Sequence, residues 1–444
     1  MPKLLLKFSI PAIVSTTLHA LYNIIDRFFV GNALGQDALA AIQLCFAPTL
    51  FLLAFGMLIG QGSATLLSIK LGQRKAKDAE KVLGQCLFLF CSLGVLIFFL
   101  AQLFTKNILS IFGAKEEVLS LAISYYTVLV SGIILEKISF GFNNLIRAEG
   151  KPLYSMYTMF IGIGVNIVLD WYFLMVLGLG IQWAAIATLI GQFCGSIWVL
   201  RYYILGKSTL KLKFENIRIF PTLLAKMLKV GSPIFLLQLL NSVVMSYVTI
   251  QIIKYGTQNS LSIIGTIMPM DMIILMPTMG INMGAQAIVG YNWGAKLYDR
   301  VRQCFKYCLI FANGYTFLGF LCFFTFAKDI ARQFLGDGEA LLNEAAEAMR
   351  IMCSAFVIIG LNITTSTFFQ STGRPALSIF INLLRQVIIM LPLLIILPPI
   401  FGVKGVFLTF PLTNFLTGIC ALIMIYYEFK RLNKLQNNLI YEKS

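Results

Sequence analysis

Two aspartates lie inside stretches of sequence that are otherwise apolar enough to sit in lipid. Asp26 stands in YNIIDRFFVGNALG, and Asp170 stands in NIVLDWYFLMVLGLG. A carboxylate within the hydrocarbon region of a membrane costs several kcal/mol, so such residues tend to mark ion or substrate pathways. Tyr22 precedes Asp26 by four residues and Asn166 precedes Asp170 by four. Each carboxyl group therefore shares a helix face with a second oxygen-bearing side chain.

The depth of these groups along their helices places them at one level. With a rise of 1.5 Å per residue, Asp170 lies about 27 Å along its helix beyond Pro152, and Thr188 lies about 10 Å below the outer end of the next helix. Asp26 reaches a similar level in the outer half. Two carboxylates, an amide and a hydroxyl are oxygen ligands suited to Na⁺. They also suit H⁺, because two neighbouring carboxyl groups at low dielectric cannot easily both be ionised. The coupling ion stays open between these two, and no other cofactor is expected.

Other polar residues in apolar stretches give secondary hypotheses. His19, the only histidine, lies seven residues before the first aspartate on the same face, so it could relay a proton or simply line a cavity. Glu136 is a candidate for contact with a cationic substrate. Lys137 is adjacent in sequence and faces elsewhere, so we expect it to snorkel towards the membrane surface. Asp271 and Arg385 each reach about 15 Å along their helices, near the midplane, which suggests a buried ion pair.

The composition identifies the elements that must hold these residues. Of 444 residues 58% are hydrophobic and 12% are charged, with a mean hydropathy of +0.83. Many apolar stretches exceed the roughly 18 residues that can cross a bilayer. The chain is therefore predicted to be an all-α membrane protein with twelve transmembrane helices. Their predicted ranges are 10–30, 38–60, 82–105, 118–145, 153–177, 181–203, 223–253, 261–291, 304–326, 343–370, 376–399 and 402–429.

The formal net charge of +16 is concentrated in the short hydrophilic gaps on one side of the predicted helices. Basic residues are dense at 70–81, at 201–229, at 296–306 and at 430–434, and the opposite gaps are poorer in them. This is the distribution of the positive-inside rule, so it requires no nucleic acid partner. We expect a multi-pass protein of the cytoplasmic membrane with both termini in the cytoplasm.

The two halves of the sequence repeat each other. A shift of 222 residues, half of the chain, aligns matching residues. These pairs are Pro11 with Pro233, Gly62 with Gly284, Gly72 with Gly294 and Lys106 with Lys328. Six helices per half give two pseudo-symmetric lobes in a parallel repeat, with a central cleft of the kind found in transporters. We predict an N-lobe at 1–205, a cytoplasmic linker at 206–221 and a C-lobe at 222–444.

These motifs carry a family resemblance over essentially the full chain. YNIIDRFFVGNALG, NIVLD, GYNWGAK, RAEGKP and STGRP resemble segments of the multidrug and toxic compound extrusion (MATE) transporters of bacterial and archaeal type. The resemblance implies export of organic cations and amphipathic compounds in exchange for Na⁺ or H⁺, with alternating access of two lobes. It places the N-lobe cation site on Asp26, Asn166, Asp170 and Thr188, with Tyr22 nearby. Some members carry acids in the C-lobe where this chain offers Gln238 and Asn362, which favours coupling through the N-lobe.

The sequence disfavours three alternatives to efflux. A flippase for a lipid or a lipid-linked saccharide is related in architecture, but it would be expected to grip pyrophosphate with several basic residues where the N-lobe offers acids. A membrane-embedded transferase or hydrolase is disfavoured by a single histidine and the lack of paired metal ligands. No GxxxxGK[ST] loop supports pumping driven by ATP. We expect a monomer, not an enzyme, whose partners are small compounds and the bilayer.

Overall fold

The computed structural model describes residues 1–110, 116–206, 208–335 and 338–441. Within these residues the chain is helical throughout, without strands. The first half contains α1 Pro2–Leu34, α2 Gln36–Gly72, α3 Ala76–Ser110, α4 Glu116–Ser131, α5 Ile133–Ala148, α6 Pro152–Asp170 and α7 Ile181–Ile204. The second half contains α8 Pro221–Tyr255, α9 Gln258–Gly294, α10 Tyr298–Thr325, α11 Ala327–Leu335, α12 Glu339–Cys353, α13 Phe356–Ser371, α14 Pro375–Leu383, α15 Leu391–Phe401 and α16 Val403–Tyr441.

Eleven spans of the described chain are long and apolar enough to cross a membrane. A twelfth is formed if α4 and α5 count together, since they are bent by 53° about a short break. The predicted all-α membrane class with twelve spans is confirmed. The prediction of one continuous helix over 118–145 is wrong, because the chain breaks at Gly132 between α4 and α5. Apolar content sets the length of a span but does not reveal such a bend.

Two spans contain π-helical turns. Trp171–Val176 follows directly after α6, and Leu384–Met390 joins α14 to α15. A π-helical turn widens the ring of the backbone hydrogen bond and changes the direction in which the following side chains point. The turn after α6 comes directly after one of the two buried aspartates.

Contacts divide the described chain into two compact units. One unit spans 14–235, and the other combines 1–13 with 236–444. The start of α1 therefore packs with the second half of the sequence, and the start of α8 packs with the first half. The predicted lobe boundaries do not include this exchange, and they stay a prediction.

Glycines allow the close helix packing at both exchanged segments. In the unit 14–235, Gly62 of α2 lies against α8, where a Cβ on Gly62 would be 2.3 Å from the carbonyl oxygen of Met227 and 3.2 Å from Cα of Gly231. In the other unit, Gly284 of α9 lies against α1, where a Cβ would be 2.8 Å from Cα of Ser9. Small residues at such positions let helix backbones approach in a membrane. The two contacts correspond under the 222-residue repeat.

Carboxylates fix the predicted linker to the unit 14–235. Glu80 of α3 pairs with Lys213 at 3.0 Å. Glu149, at the end of α5, accepts hydrogen bonds from Ser208 Oγ at 2.7 Å, from the Thr209 backbone N–H at 2.6 Å and from Thr209 Oγ1 at 2.8 Å. Leu210 is buried beside them. Lys207 lies outside the described residues. The linker is therefore a structured part of this unit rather than a free tether.

Candidate cation site on helices α1, α6 and α7

Helices α1, α6 and α7 bring the predicted oxygen ligands together. Thr188 of α7 lies at the centre, with its Oγ1 3.2 Å from the hydroxyl of Tyr22 and 3.3 Å from Nδ2 of Asn166, which donates to it. The carboxyl groups of Asp26 and Asp170 lie close enough to interact electrostatically. Asp26 is 6% exposed and Asp170 is fully buried. All five residues named by the sequence as cation ligands thus meet in one place.

The local helix geometry explains why Asp170 faces inward. It is the last residue of α6, and the following π-helical turn begins with exposed Trp171 and Tyr172. Within this turn the backbone N–H of Leu177 donates to the carbonyl oxygen of Tyr172, five residues earlier, at 3.0 Å. The wider turn lets aromatic side chains face outward directly after a carboxyl group that faces inward.

The site contains buried acceptors without donors. Oδ1 of Asp26, Oδ1 of Asn166 and both carboxyl oxygens of Asp170 are buried and accept no hydrogen bond within the described part of the chain. Leaving such groups unpaired is costly, because they have lost water and gained no partner. A cation or proton bound here would supply the missing positive charge. These oxygen ligands fit Na⁺ or H⁺ rather than a transition metal. No cluster of three or more His, Cys, Asp or Glu is found among the described residues.

A second tyrosine near the site was not predicted. Tyr125 of α4 is buried and interacts electrostatically with Asp26, Tyr22 and Asp170. Its position in the apolar run before Gly132 was the only available signal, since a buried tyrosine hydroxyl in a membrane span requires a polar neighbour.

Glu136 and Lys137 form an ion pair in the unit 14–235. Lys137 is buried, and its Nζ lies 2.8 Å from Oε1 of Glu136. The prediction that Lys137 snorkels to the surface is therefore wrong. The long lysine chain turns along α5 beside Gly56 of α2, where a Cβ would lie 2.9 Å from Lys137 Cδ. His19 of α1 interacts electrostatically with Glu136, and its ring lies 6.1 Å from that of Tyr22.

The hypothesised pair between Asp271 and Arg385 is not present. Both residues are described, and no ion pair joins them among the described residues. Asp271 instead lies within electrostatic range of Cys353 of α12, and Arg385 lies in the second π-helical turn. Counting residues along helices fixes their depth but not their rotation, and the π-helical turn changes the rotation further.

Asn362 donates to the carbonyl oxygen of Asn414 at 3.0 Å.

A protein-family model described as MatE matches the chain twice, over residues 11–172 and over residues 233–396. The starts of the two matches are 222 residues apart (233 minus 11), which is the offset of the internal repeat. The family model therefore corresponds to one repeated half of the chain.

Curated relatives match over nearly the whole chain. The Multidrug export protein MepA of Staphylococcus aureus strain MRSA252 is 23% identical over 425 residues, which cover 96% of this chain and 93% of MepA. MepA of Staphylococcus haemolyticus strain JCSC1435 is 23% identical over 424 residues with the same coverage.

Solved structures show the same fold. An outward-facing conformation of a multidrug resistance MATE family transporter of the MOP superfamily aligns with a TM-score of 0.91 at 24% identity, covering 98% of this chain and 97% of that one. A MOP superfamily transporter from Pyrococcus furiosus, described as having a binding pocket of reverse polarity, aligns with a TM-score of 0.91 at 24% identity, covering 98% and 96%.

Proposed function

Because the chain belongs to the MATE family of membrane transporters, we propose that it exports small cationic or amphipathic compounds in exchange for Na⁺ or H⁺. The observation that carries this proposal is the set of buried oxygens without donors on α1, α6 and α7. A folded site that lacks donors for its own acceptors favours a ligand of positive charge.

The coupling mechanism follows from the fact that these groups lie on separate helices. Asp26 belongs to α1, whereas Asp170 and Thr188 belong to α6 and α7. An ion held between them favours the conformation in which the three helices are close, and its release favours the other. Ion binding shifts transport between inward and outward access only through this difference in affinity. The membrane potential adds about 2.3 kcal/mol per charge per 100 mV.

The relatives support small compounds as substrates. MepA is named a multidrug export protein, and one similar structure is of MATE in complex with MaL6. The flippase alternative would need unpaired basic groups to hold pyrophosphate. In the unit 14–235, Lys137 lies in the middle of a predicted span and is already paired with Glu136. We place the chain in the cytoplasmic membrane with both termini inside.

The test is transport of a fluorescent cationic dye into inside-out vesicles. The vesicles are loaded with Na⁺ in one arm and acidified inside in the other, so that the ion leaving the lumen drives the dye in. We expect accumulation with one gradient, and its loss in Asp26→Asn and Asp170→Asn. Asp37→Asn is the matched control, since Asp37 is exposed in the first turn of α2. Accumulation without either gradient, or full activity of both site variants, would contradict the proposal.

A further inference from the structure

An ion pair in the middle of the membrane has no role in the proposed cation site. Glu136 lies in the first turn of α5, and its distance from Arg147 near the end of that helix corresponds to about 16 Å. This depth is close to the centre of a hydrocarbon core about 30 Å thick. Charged residues at such a depth are rare in membrane proteins and mark functional sites by default.

The two partners of this pair differ in accessibility. The Lys137 side chain is 2% exposed, whereas that of Glu136 is 27% exposed. Lys137 Nζ donates a hydrogen bond to Oε1 of Glu136 at 2.8 Å, and among the described residues none is donated to Oε2. A carboxylate can accept several hydrogen bonds through its two oxygens. The second oxygen of Glu136 is therefore open to another donor while the lysine keeps its own bond.

Among the described residues, no ion pair other than that with Lys137 involves Glu136. His19 and Tyr22 of α1 and Tyr126 of α4 interact electrostatically with it. Gly56 marks the contact of α2 with the lysine. An accessible carboxylate beside an imidazole and aromatic rings offers both charge and apolar contact to a compound with a cationic end.

We propose that Glu136 recognises the transported compound by accepting a hydrogen bond from an N–H group of its cationic centre, while Lys137 holds the other carboxylate oxygen. This inference rests on the proposed function and extends it from cations in general to cations that carry N–H donors. A charge-assisted hydrogen bond to a carboxylate brings the two charges to within about 2.9 Å. A quaternary centre is surrounded by carbon and cannot approach so closely, so its attraction is weaker.

Lys137 has a structural part in this arrangement. Its ammonium neutralises the carboxylate between transport events, so the site does not hold an uncompensated charge in the membrane. Gly56 leaves the space that the lysine chain occupies. Removing either charge alone leaves the other buried without a partner, which is strongly destabilising. Removing both together avoids this cost.

The experiment compares two probes in the gradient-loaded vesicles. The probe 4′,6-diamidino-2-phenylindole carries amidinium N–H groups, and tetraphenylphosphonium is a lipophilic cation without them. For Glu136→Gln we expect KM for the amidinium probe to rise about tenfold, the effect of losing one charge-assisted hydrogen bond. Its kcat and both constants for tetraphenylphosphonium should stay within about twofold.

Two further variants keep the result decisive. The double variant with Glu136→Gln and Lys137→Met removes both charges, and it should show the same selective rise even if the single variant folds poorly. Glu347→Gln breaks an exposed pair with Lys404 of similar geometry, 2.6 Å, and should change neither probe. An equal loss for both probes, or no change in the double variant, overturns the inference. If the unaltered protein drives neither probe with either gradient, the proposed function itself fails.

Discussion

The two aspartates of the candidate site have different surroundings. Asp26 has one buried oxygen without a donor, whereas both oxygens of Asp170 are buried without donors. Asn166 contributes a third such residue through its Oδ1. Asp170 thus contributes two of an array of four buried acceptors. Without an ion, this array destabilises the folded protein through repulsion and lost hydration.

Replacing Asp170 with Asn should therefore stabilise the protein while it abolishes coupling. The amide removes a buried charge and adds an N–H donor within reach of the neighbouring acceptors. We expect the Tm in detergent without Na⁺ to rise by a few degrees, and ion-driven transport to be lost, the usual relation of a strained site to stability. Differential scanning fluorimetry and the vesicle assay measure the two effects on the same preparation.

The unaltered protein provides the comparison for this variant. If Na⁺ is the coupling ion, its Tm should rise with Na⁺ but not with choline, because a ligand that binds only the folded state stabilises it. Asp170→Asn should lose this response. A variant that is less stable than the unaltered protein and still responds to Na⁺ would show that the buried acceptors do not form the ion site.

At the level of residues, the sequence predicted the candidate site better than its surroundings. Spacing predicted that Asp26, Asn166 and Asp170 lie at one level, and the structure brings them together. Their role as ion ligands stays a prediction. The sequence predicted that Lys137 lies at the surface, because adjacent residues on a helix point in different directions. This argument ignores how far a long lysine side chain can turn back towards its neighbour. Tyr125 was missed because one tyrosine in an apolar span carries no periodic signal.

At the level of helices, apolar length predicted the spans but not their interruptions. The break at Gly132 and the π-helical turn Trp171–Val176 lie inside stretches that are apolar along their whole length. Both arise from local backbone geometry, which hydropathy does not encode. Both also occur in helices that carry polar groups of the N-terminal half: Glu136 follows the break, and Asp170 precedes the π-helical turn. Interrupted helices place polar groups where a straight helix would point them into lipid.

The packing of α8 on α2 gives a prediction at this level. A Cβ at Gly231 would lie 1.9 Å from the carbonyl oxygen of Leu58, so backbone atoms must move to admit it. We expect Gly231→Ala to lower stability by about 1–3 kcal/mol, as overpacking does. The measurement is the Tm in detergent together with the yield of folded protein.

Gly164→Ala is the matched control for this substitution. Gly164 also lies within a membrane-spanning helix, α6, but no described atom outside its own stretch of backbone lies within 4 Å of a Cβ built there. Alanine favours a helix over glycine by about 1 kcal/mol, so this control should be neutral or stabilising. Equal Tm values for the two variants would show that the close contact of α8 with α2 is not a feature of the folded protein.

At the level of the whole molecule, the repeat was the most reliable sequence signal. The resemblance to the MATE family is confirmed by the family match, which covers each half separately, and with it the prediction of a transporter rather than an enzyme. The exchange of the first segments of α1 and α8 could not be predicted. Two similar halves offer each segment two similar docking surfaces, and the sequence does not say which one a segment uses.

The same symmetry makes the orientation a separate prediction, because the two ends of a parallel repeat differ mainly in their basic residues. The density of Lys and Arg predicts that the C-terminal part of α16 lies in the cytoplasm and the start of α2 lies outside. In a protein with its nine cysteines replaced, Lys434→Cys and Asp37→Cys each provide one exposed thiol. A membrane-impermeant maleimide should label the cysteine at 37 in intact cells and the cysteine at 434 only in inside-out vesicles. The reverse pattern would place the acidic groups of the candidate site nearer the cytoplasm, and the driving ion would then reach Asp26 from inside.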